Sequence, residues 1–370
     1  MSEGVPAPLL STYGGYICDV SSAGERDYDS ISTWGGPMVD LRTPLCRGLG
    51  IEVPIIQAPI GSATCPALAA AVSNAGGLGM LAMSWRDPDG IRRTIRETRE
   101  LTDRPFGVNL GLAWRQDARL AVSLEEDVPI VSFFWGPPDR YTETAHSGGA
   151  IVFHTIGNVA EARQAVDAGV DAVVAQGWES GGHVWGQVST LPLVPAVVDA
   201  IAPVPIVAAG GIGDGRGLAA ALALGADGVW MGTRFLASRE AAIHRVYRNR
   251  VVDATEADTV YSGLFDVGWP NAPHRTLRNS TIDLWEDAGR PEPGRRPGEG
   301  EEVAEHADGR AVERYSDVIP LPGMTGAIET LALYAGQSVG LISKVQPAGD
   351  IVADVADEAR SVLKRLALGP

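Results

Sequence analysis

The sequence predicts an α/β protein, a closed (β/α)8 TIM barrel, and three observations carry that reading. Between Val53 and Leu236, short apolar or β-branched runs alternate with helical stretches at intervals of roughly 20–25 residues. There are eight such runs, the number a closed barrel needs. Each run stops in small or polar residues, as expected where strand ends open into ligand-binding loops. A doubly wound open sheet is the main rival.

Residues 1–50 do not fit the repeat. They are rich in Gly, Ser and Pro and are expected to wrap the barrel floor or lie over its mouth. The predicted strands are 55–58, 78–81, 106–109, 130–134, 150–155, 172–175, 205–208 and 228–231. The helix over 65–74 is Ala-rich and stops before Gly76-Gly77. The helix over 88–101 has an early Pro behind Asp87, a suitable N-cap. The helix over 158–168 opens on Asn158 and ends at Gly169. The helix over 214–224 has Asp214 at its start and Gly225 at its end. Residues 51–240 thus form the barrel core, and 241–370 a helical and irregular region. Within it a helix is expected over 240–253. Residues 289–309, dense in Gly, Pro, Glu and Arg, read as a flexible surface loop or disordered insertion. Order resumes over 326–336, and a last helix spans 351–366.

Apolar residues make up 45% of the 370, which allows a large core. The net charge of −16 argues against nucleic acid or an anionic membrane as partner. It does not exclude an anionic cofactor, because backbone amides bind phosphate without net positive charge. Cys18, Cys46 and Cys65 are scattered, so neither a disulfide framework nor a zinc site is expected. No cluster has metal-ligand spacing. With no secretory pattern and no apolar run near ~18 residues, the expectation is a cytoplasmic protein. A homodimer is left open.

Chemistry is sought at the strand ends. The sixth run opens into Gln176-Gly177-Trp178-Glu179-Ser180-Gly181-Gly182-His183, where glycines let the backbone approach a ligand and a histidine follows. The seventh run ends in Gly210-Gly211-Ile212-Gly213-Asp214, and the eighth in Met231-Gly232-Thr233-Arg234. Both precede helices and match the phosphate site that barrels build after strands seven and eight. Thr233 adds a hydroxyl donor; Arg234 either adds charge or faces outward. The G-x-G-x-x-G spacing of a dinucleotide fold is absent.

Taken together, Gln57 to Gly61, Ser73 to Gly79, Gly107 to Asn109, Gln176 to His183, Ala208 to Gly213 and Trp230 to Phe235 resemble the nitronate monooxygenase family, formerly 2-nitropropane dioxygenases. The resemblance runs from Pro44 to Glu240, with an echo from Tyr334 to Gly340. It implies a barrel holding FMN. By position, Ala58, Pro59 and Ile60 would back the flavin ring. Asn109 would bond its polar edge, and Gln176, Gly181 and Gly182 would border it. Gly210 and Gly211, with Met231, Gly232 and Thr233, would hold the phosphate. His183 matches the family's catalytic base. Where many relatives carry Met and Lys, this chain has Ile60 and Thr155, so less positive charge is expected near the flavin.

His154 is open between a cofactor contact and a buried, hydrogen-bonded histidine. His146, His244 and His306 read as surface, and His274 as surface or a cap on the mouth. Glu179 either orients His183 or joins a structural ion pair. Trp135, Trp178 and Trp185 are candidates for an apolar wall around a small substrate. The implied activity is FMN-dependent oxidation of alkyl nitronates or nitroalkanes by O2 to carbonyl compounds and nitrite, with His183 as base. The alternatives are a flavin-dependent NAD(P)H enoyl-thioester reductase, an oxidase of an N-oxidised biosynthetic intermediate, and a flavin-free phosphate-binding barrel.

Overall fold

The computed structural model describes residues 39–368. Most of the predicted 1–50 extension therefore lies outside the described residues. In chain order the strands run β1 (Ile55–Gln57), β2 (Gly79–Ala82), β3 (Phe106–Gly111), β4 (Ile130–Phe134), β5 (Ile151–Ile156) and β6 (Ala172–Gln176). A two-residue strand outside the barrel, β7 (Gly182–His183), comes before β8 (Ile206–Ala209) and β9 (Gly228–Met231). The eight barrel strands are parallel, in the order β1-β9-β8-β6-β5-β4-β3-β2. Leu78 closes the ring: its N–H donates to the Ile55 carbonyl at 3.0 Å, and its own carbonyl accepts from Gln57 N at 2.9 Å. The strands at 130–134 and 228–231 keep the predicted bounds, and the others shift by a residue or two.

The barrel helices are α1 (Pro44–Leu49), α2 (Pro66–Asn74), α3 (Pro88–Leu101), α4 (Asp117–Glu125), α5 (Asp139–Ser147), α6 (Val159–Asp167), α7 (Thr190–Ile201), α8 (Gly215–Ala223) and α9 (Thr233–Leu236). Their starts follow side-chain chemistry. Asp87, Asn158 and Asp214 each accept from the backbone N–H three residues on, at 2.6, 3.0 and 3.1 Å. After them come α10 (Arg245–Asp253), α11 (Ser280–Asp287) and α12 (Ala348–Leu368). The start of α10 falls later than the predicted 240 because His244 caps it, its Nδ1 accepting from Val246 N at 3.1 Å. No helix among the described residues is long and apolar enough to cross a membrane.

Strand alternation divides the apolar side chains between two layers. Ile56, Met80, Ile130, Phe153, Val174, Val207 and Trp230 fill the barrel interior, with Leu45, Cys46 and Leu49 of α1 packed among them. Thr43 Oγ1 donates to the Asp227 carbonyl at 2.7 Å, just before β9, so α1 plugs the floor. Neighbours such as Val108, Val152, Val173 and Val229 face outward against the helices.

Beyond α10 the chain builds two antiparallel sheets. One joins β10 (Thr259–Ser262), β11 (His274–Leu277) and β7; the other joins β12 (Glu302–Glu305), β13 (Ala311–Glu313) and β14 (Thr325–Gly326). Within the surface loop or disordered insertion expected over 289–309, residues 302–305 form a paired strand. Val303 and Ala304 of that strand bury with Val312, Met324, Ile328 and Leu331. Arg296, buried, is held by Asp266 at 2.7 Å and Glu299 at 2.6 Å. The charged composition belongs to the outward positions and to this buried ion-pair group, not to a disordered chain.

Candidate active site

A cavity of about 660 Å³ opens at the C-terminal ends of the barrel strands. That size suits a cofactor with a small substrate. Ala58, Pro59 and Ile60, which follow β1, line it, as does Asn109 of β3. Gln176, Gly181, Gly182 and His183 contribute from the glycine loop. Gly210, Gly211, Gly232 and Thr233 line it at the ends of β8 and β9.

Two of the residues expected to meet the cofactor fall outside the cavity lining. His154 and Met231 do not line the cavity. Thr155 and Trp230, their neighbours in β5 and β9, line it instead, and the pleat turns His154 and Met231 toward the helices. His154 is buried, its Nδ1 has no partner among the described residues, and burial pushes its pKa down to about 4. Its one electrostatic neighbour is Asp139, at the start of α5.

The predicted tryptophan wall is also redrawn. Trp135, Trp178 and Trp185 do not line the cavity, whereas Trp85, Trp114 and Trp269 do. Trp135 and Trp185 back this wall with ring centroids 4.9 Å apart, and Trp135 lies 5.7 Å from the His183 ring. Trp269 is central, 4.6 Å from Trp114, 5.1 Å from Trp135 and 4.1 Å from His183. It comes from the segment between β10 and β11, where the sequence shows no period. Tyr334 and Gly336, within the distant echo of the family pattern, complete the cavity.

The loop from β6 to β7 is fastened at four of its residues, Gln176, Trp178, Glu179 and Gly181. The Gln176 amide ties both ends of the turn, donating to the His183 carbonyl at 3.1 Å and accepting from Trp185 N at 2.9 Å. The Glu179 carboxylate accepts from Thr190 N at 2.9 Å and Thr190 Oγ1 at 3.1 Å, so it caps α7 rather than reaching His183. Arg275 lies 4.2 Å over the Trp178 ring and donates to its carbonyl at 3.0 Å. Gly181 packs against the 335–336 backbone so closely that a Cβ would sit 2.3 Å from Gly336 N.

His183 pairs with His274 across β7 and β11. The Ala272 carbonyl lies 3.2 Å from His183 Nδ1 and 3.0 Å from His274 Nδ1. A carbonyl only accepts, so both imidazoles carry their proton on Nδ1 and keep Nε2 as a lone pair. His274 uses that lone pair to accept from Phe265 N at 3.2 Å. His274 is therefore a buried, structural histidine, not a cap on the mouth. Burial first, then the neighbouring His274, push the His183 pKa down to about 3, against the pull of the Ala272 bond. At neutral pH His183 is an uncharged base with Nε2 available. Of the remaining histidines, His146 bonds Asp171 at 2.8 Å on the surface. His306, expected at the surface, reaches the cavity mouth from the β12–β13 turn.

The residues present fit a flavin mononucleotide. Ser180 Oγ lines the cavity, buried and without a hydrogen-bond partner among the described residues. A Cβ on Gly210 would lie 2.6 Å from it, so the glycine keeps that space open. Gly210 and Gly211 sit at φ +100° and +70°, a left-handed turn that aims successive amides into one hollow. Thr233 Oγ1 accepts from Gly336 N at 2.9 Å, which leaves its own proton to donate. The dipole of α8 does not serve this hollow, since its first amides are taken by Asp214 and by Glu358 at 2.7 Å. Asn109 donates to Ser132 at 3.2 Å, which orients its amide and leaves Oδ1 as an acceptor where a flavin ring edge would lie.

The family model for nitronate monooxygenase matches residues 42–118 and 111–358. The chain belongs to the nitronate monooxygenase family. It is an enzyme of the flavin oxidoreductase type. A nitronate monooxygenase of Paraburkholderia phytofirmans is 34% identical, over 86% of this chain and 95% of that one. A (3aS,4S,5R,7aS)-5-hydroxy-7a-methyl-1-oxo-octahydro-1H-indene-4-carboxyl-CoA dehydrogenase of Mycobacterium tuberculosis is 39% identical, over 68% of this chain and 70% of that one. Among solved structures, FabK of Thermotoga maritima superposes with a TM-score of 0.76 at 37% identity, covering 88% of this chain and 98% of that one. A nitroalkane oxidase of Streptomyces ansochromogenes gives 0.69 at 32% identity, covering 85% and 98%.

Proposed function

We propose that this member of the nitronate monooxygenase family binds FMN and oxidises nitronates, or nitroalkanes after deprotonation, with O2, giving a carbonyl compound and nitrite. The observation that carries the reading is His183. It is a neutral imidazole, tautomer-locked by Ala272, bordering the same cavity as the flavin-sized seat and the glycine hollow. The chemistry a bound flavin supplies is acceptance of electrons from a carbanion and their delivery to O2. The protein's own residues do the rest. His183 Nε2 takes the proton from the carbon next to the nitro group, and the C–H electron pair moves onto the nitro oxygens. The imidazolium and the nitronate then form as an ion pair. This offsets the desolvation that otherwise keeps His183 neutral. The tryptophan wall excludes water and holds the alkyl part.

His183→Asn tests this. The variant is expected to retain FMN and to lose most turnover of neutral nitroalkanes, on the order of 10²–10⁴-fold. It should still consume preformed nitronate. Full activity on both substrates would sink the assignment. A thioester substrate is the second reading, favoured by the carboxyl-CoA dehydrogenase relative. Rapid anaerobic bleaching of the flavin by NADPH, with no response to nitronate, would select it.

A further inference from the structure

We propose that the cavity carries a cation subsite, so that the nitronate it takes bears an ammonium group held by the Asp317 carboxylate against the rings of Trp269 and Tyr334. The inference rests on the nitronate reading and names its substrate class. Asp317 lines the cavity, yet no cation pairs with its carboxyl among the described residues. Arg310, at the same mouth, is already engaged by Asp308 at 2.8 Å. The carboxyl is seated by close packing: its Oδ1 lies 2.2 Å from where a Cβ on Gly268 would stand, so only glycine fits beneath it. Gly268 is followed directly by Trp269, the centre of the aromatic wall. On the other side, the Tyr334 hydroxyl donates to the Asp317 carbonyl at 3.3 Å. Asp317 N–H donates to the Val267 carbonyl at 3.0 Å, which fixes this corner of the cavity.

A half-buried carboxyl in such a place has lost part of its water and gained no cation among the described residues. Burial raises its pKa to about 6, a cost that an arriving cation would remove. The rings of Trp269 and Tyr334, which line the same cavity, favour the same charge. An alkylammonium meets both demands, whereas a neutral alkyl chain leaves the carboxyl stranded.

The holoenzyme can be titrated with tetramethylammonium chloride while tryptophan fluorescence is followed, with sodium chloride as control. A saturable change that weakens at least about tenfold in Asp317→Asn is expected. No saturable change beyond the salt control, or unchanged affinity in the variant, overturns the subsite. Turnover provides a second arm: the nitronate of 3-(trimethylammonio)-1-nitropropane against that of its neutral isostere 4,4-dimethyl-1-nitropentane. The wild type should favour the cationic substrate in kcat/KM, and Asp317→Asn should lose that preference. Equal turnover of the two by the wild type also overturns it. If neither nitronate is consumed, the nitronate reading fails by itself, and the fluorescence titration still decides the subsite.

Discussion

His183 owes its position to glycines and a shared carbonyl rather than to a charged partner. This explains what was legible at the residue scale. The Gln176 to His183 segment announces itself because its glycines and its histidine are contiguous in sequence. Asp317, Trp269 and His274 do not, because they come from separate segments of an aperiodic region: His274 meets His183 through the β7–β11 pairing, and Asp317 reaches the Trp269 segment through its backbone bond to Val267. His154 stayed open for a simpler reason: being near the end of a strand does not say which way the pleat turns a side chain. The glycine hollow yields a graded test. Gly210→Ala forces a Cβ at φ +100° to within 2.6 Å of Ser180 Oγ and 2.9 Å of the Gly177 carbonyl. It should lower stability by about 1–3 kcal/mol and strip most of the FMN. In Gly211→Ala the nearest atom would be 3.8 Å away, so only the cost of φ +70° remains, about 1 kcal/mol. Flavin content after gel filtration and thermal melts separate the two. Equal flavin loss would remove Gly210 from its special place.

At the scale of elements, the barrel was readable because its βα units repeat a buried apolar run, and α6 and α8 add a capping residue and a terminal glycine. Asp87, Asn158 and Asp214 were placed correctly for that reason. The start of α7 escaped, since its N-cap, Ser189, makes no side-chain bond and Glu179 caps the helix from ten residues upstream. Local sequence cannot show a cap that arrives from another loop. The contact couples the glycine loop to the helix behind it. Glu179→Ala should cost about 1–2 kcal/mol in thermal or urea unfolding. It should also raise KM, because the loop that carries Ser180 to His183 is freed. A lower melting temperature with unchanged KM would show that Glu179 serves the helix alone.

The whole molecule should be sensitive to acid, because its interior holds uncharged histidines. The pKa values of His183, His154 and His274 are pushed down to about 3, 4 and 4, mainly by burial, from an ordinary 6.5. The unfolded chain therefore binds their protons before the folded one does. Stability is full above pH 6.5 and falls as the pH drops from there toward 4. Asp317 opposes this: its pKa is raised to about 6, so below that pH the folded state takes up one proton before the unfolded state does. Three histidine protons against one carboxyl proton leave two near pH 5, a slope of about 3 kcal/mol per pH unit. The ion-paired carboxylate Glu126, held below the usual range by Arg96 and Arg92, adds its loss only in stronger acid. The melting temperature should thus fall steeply between pH 6 and pH 4.5. Replacing His154, which lies away from the cavity, with Gln should make the fall shallower without touching flavin content. A melting temperature that stays flat from pH 7 to pH 5 would mean that water reaches these imidazoles, and with it the neutral, desolvated state assigned to His183 would be lost.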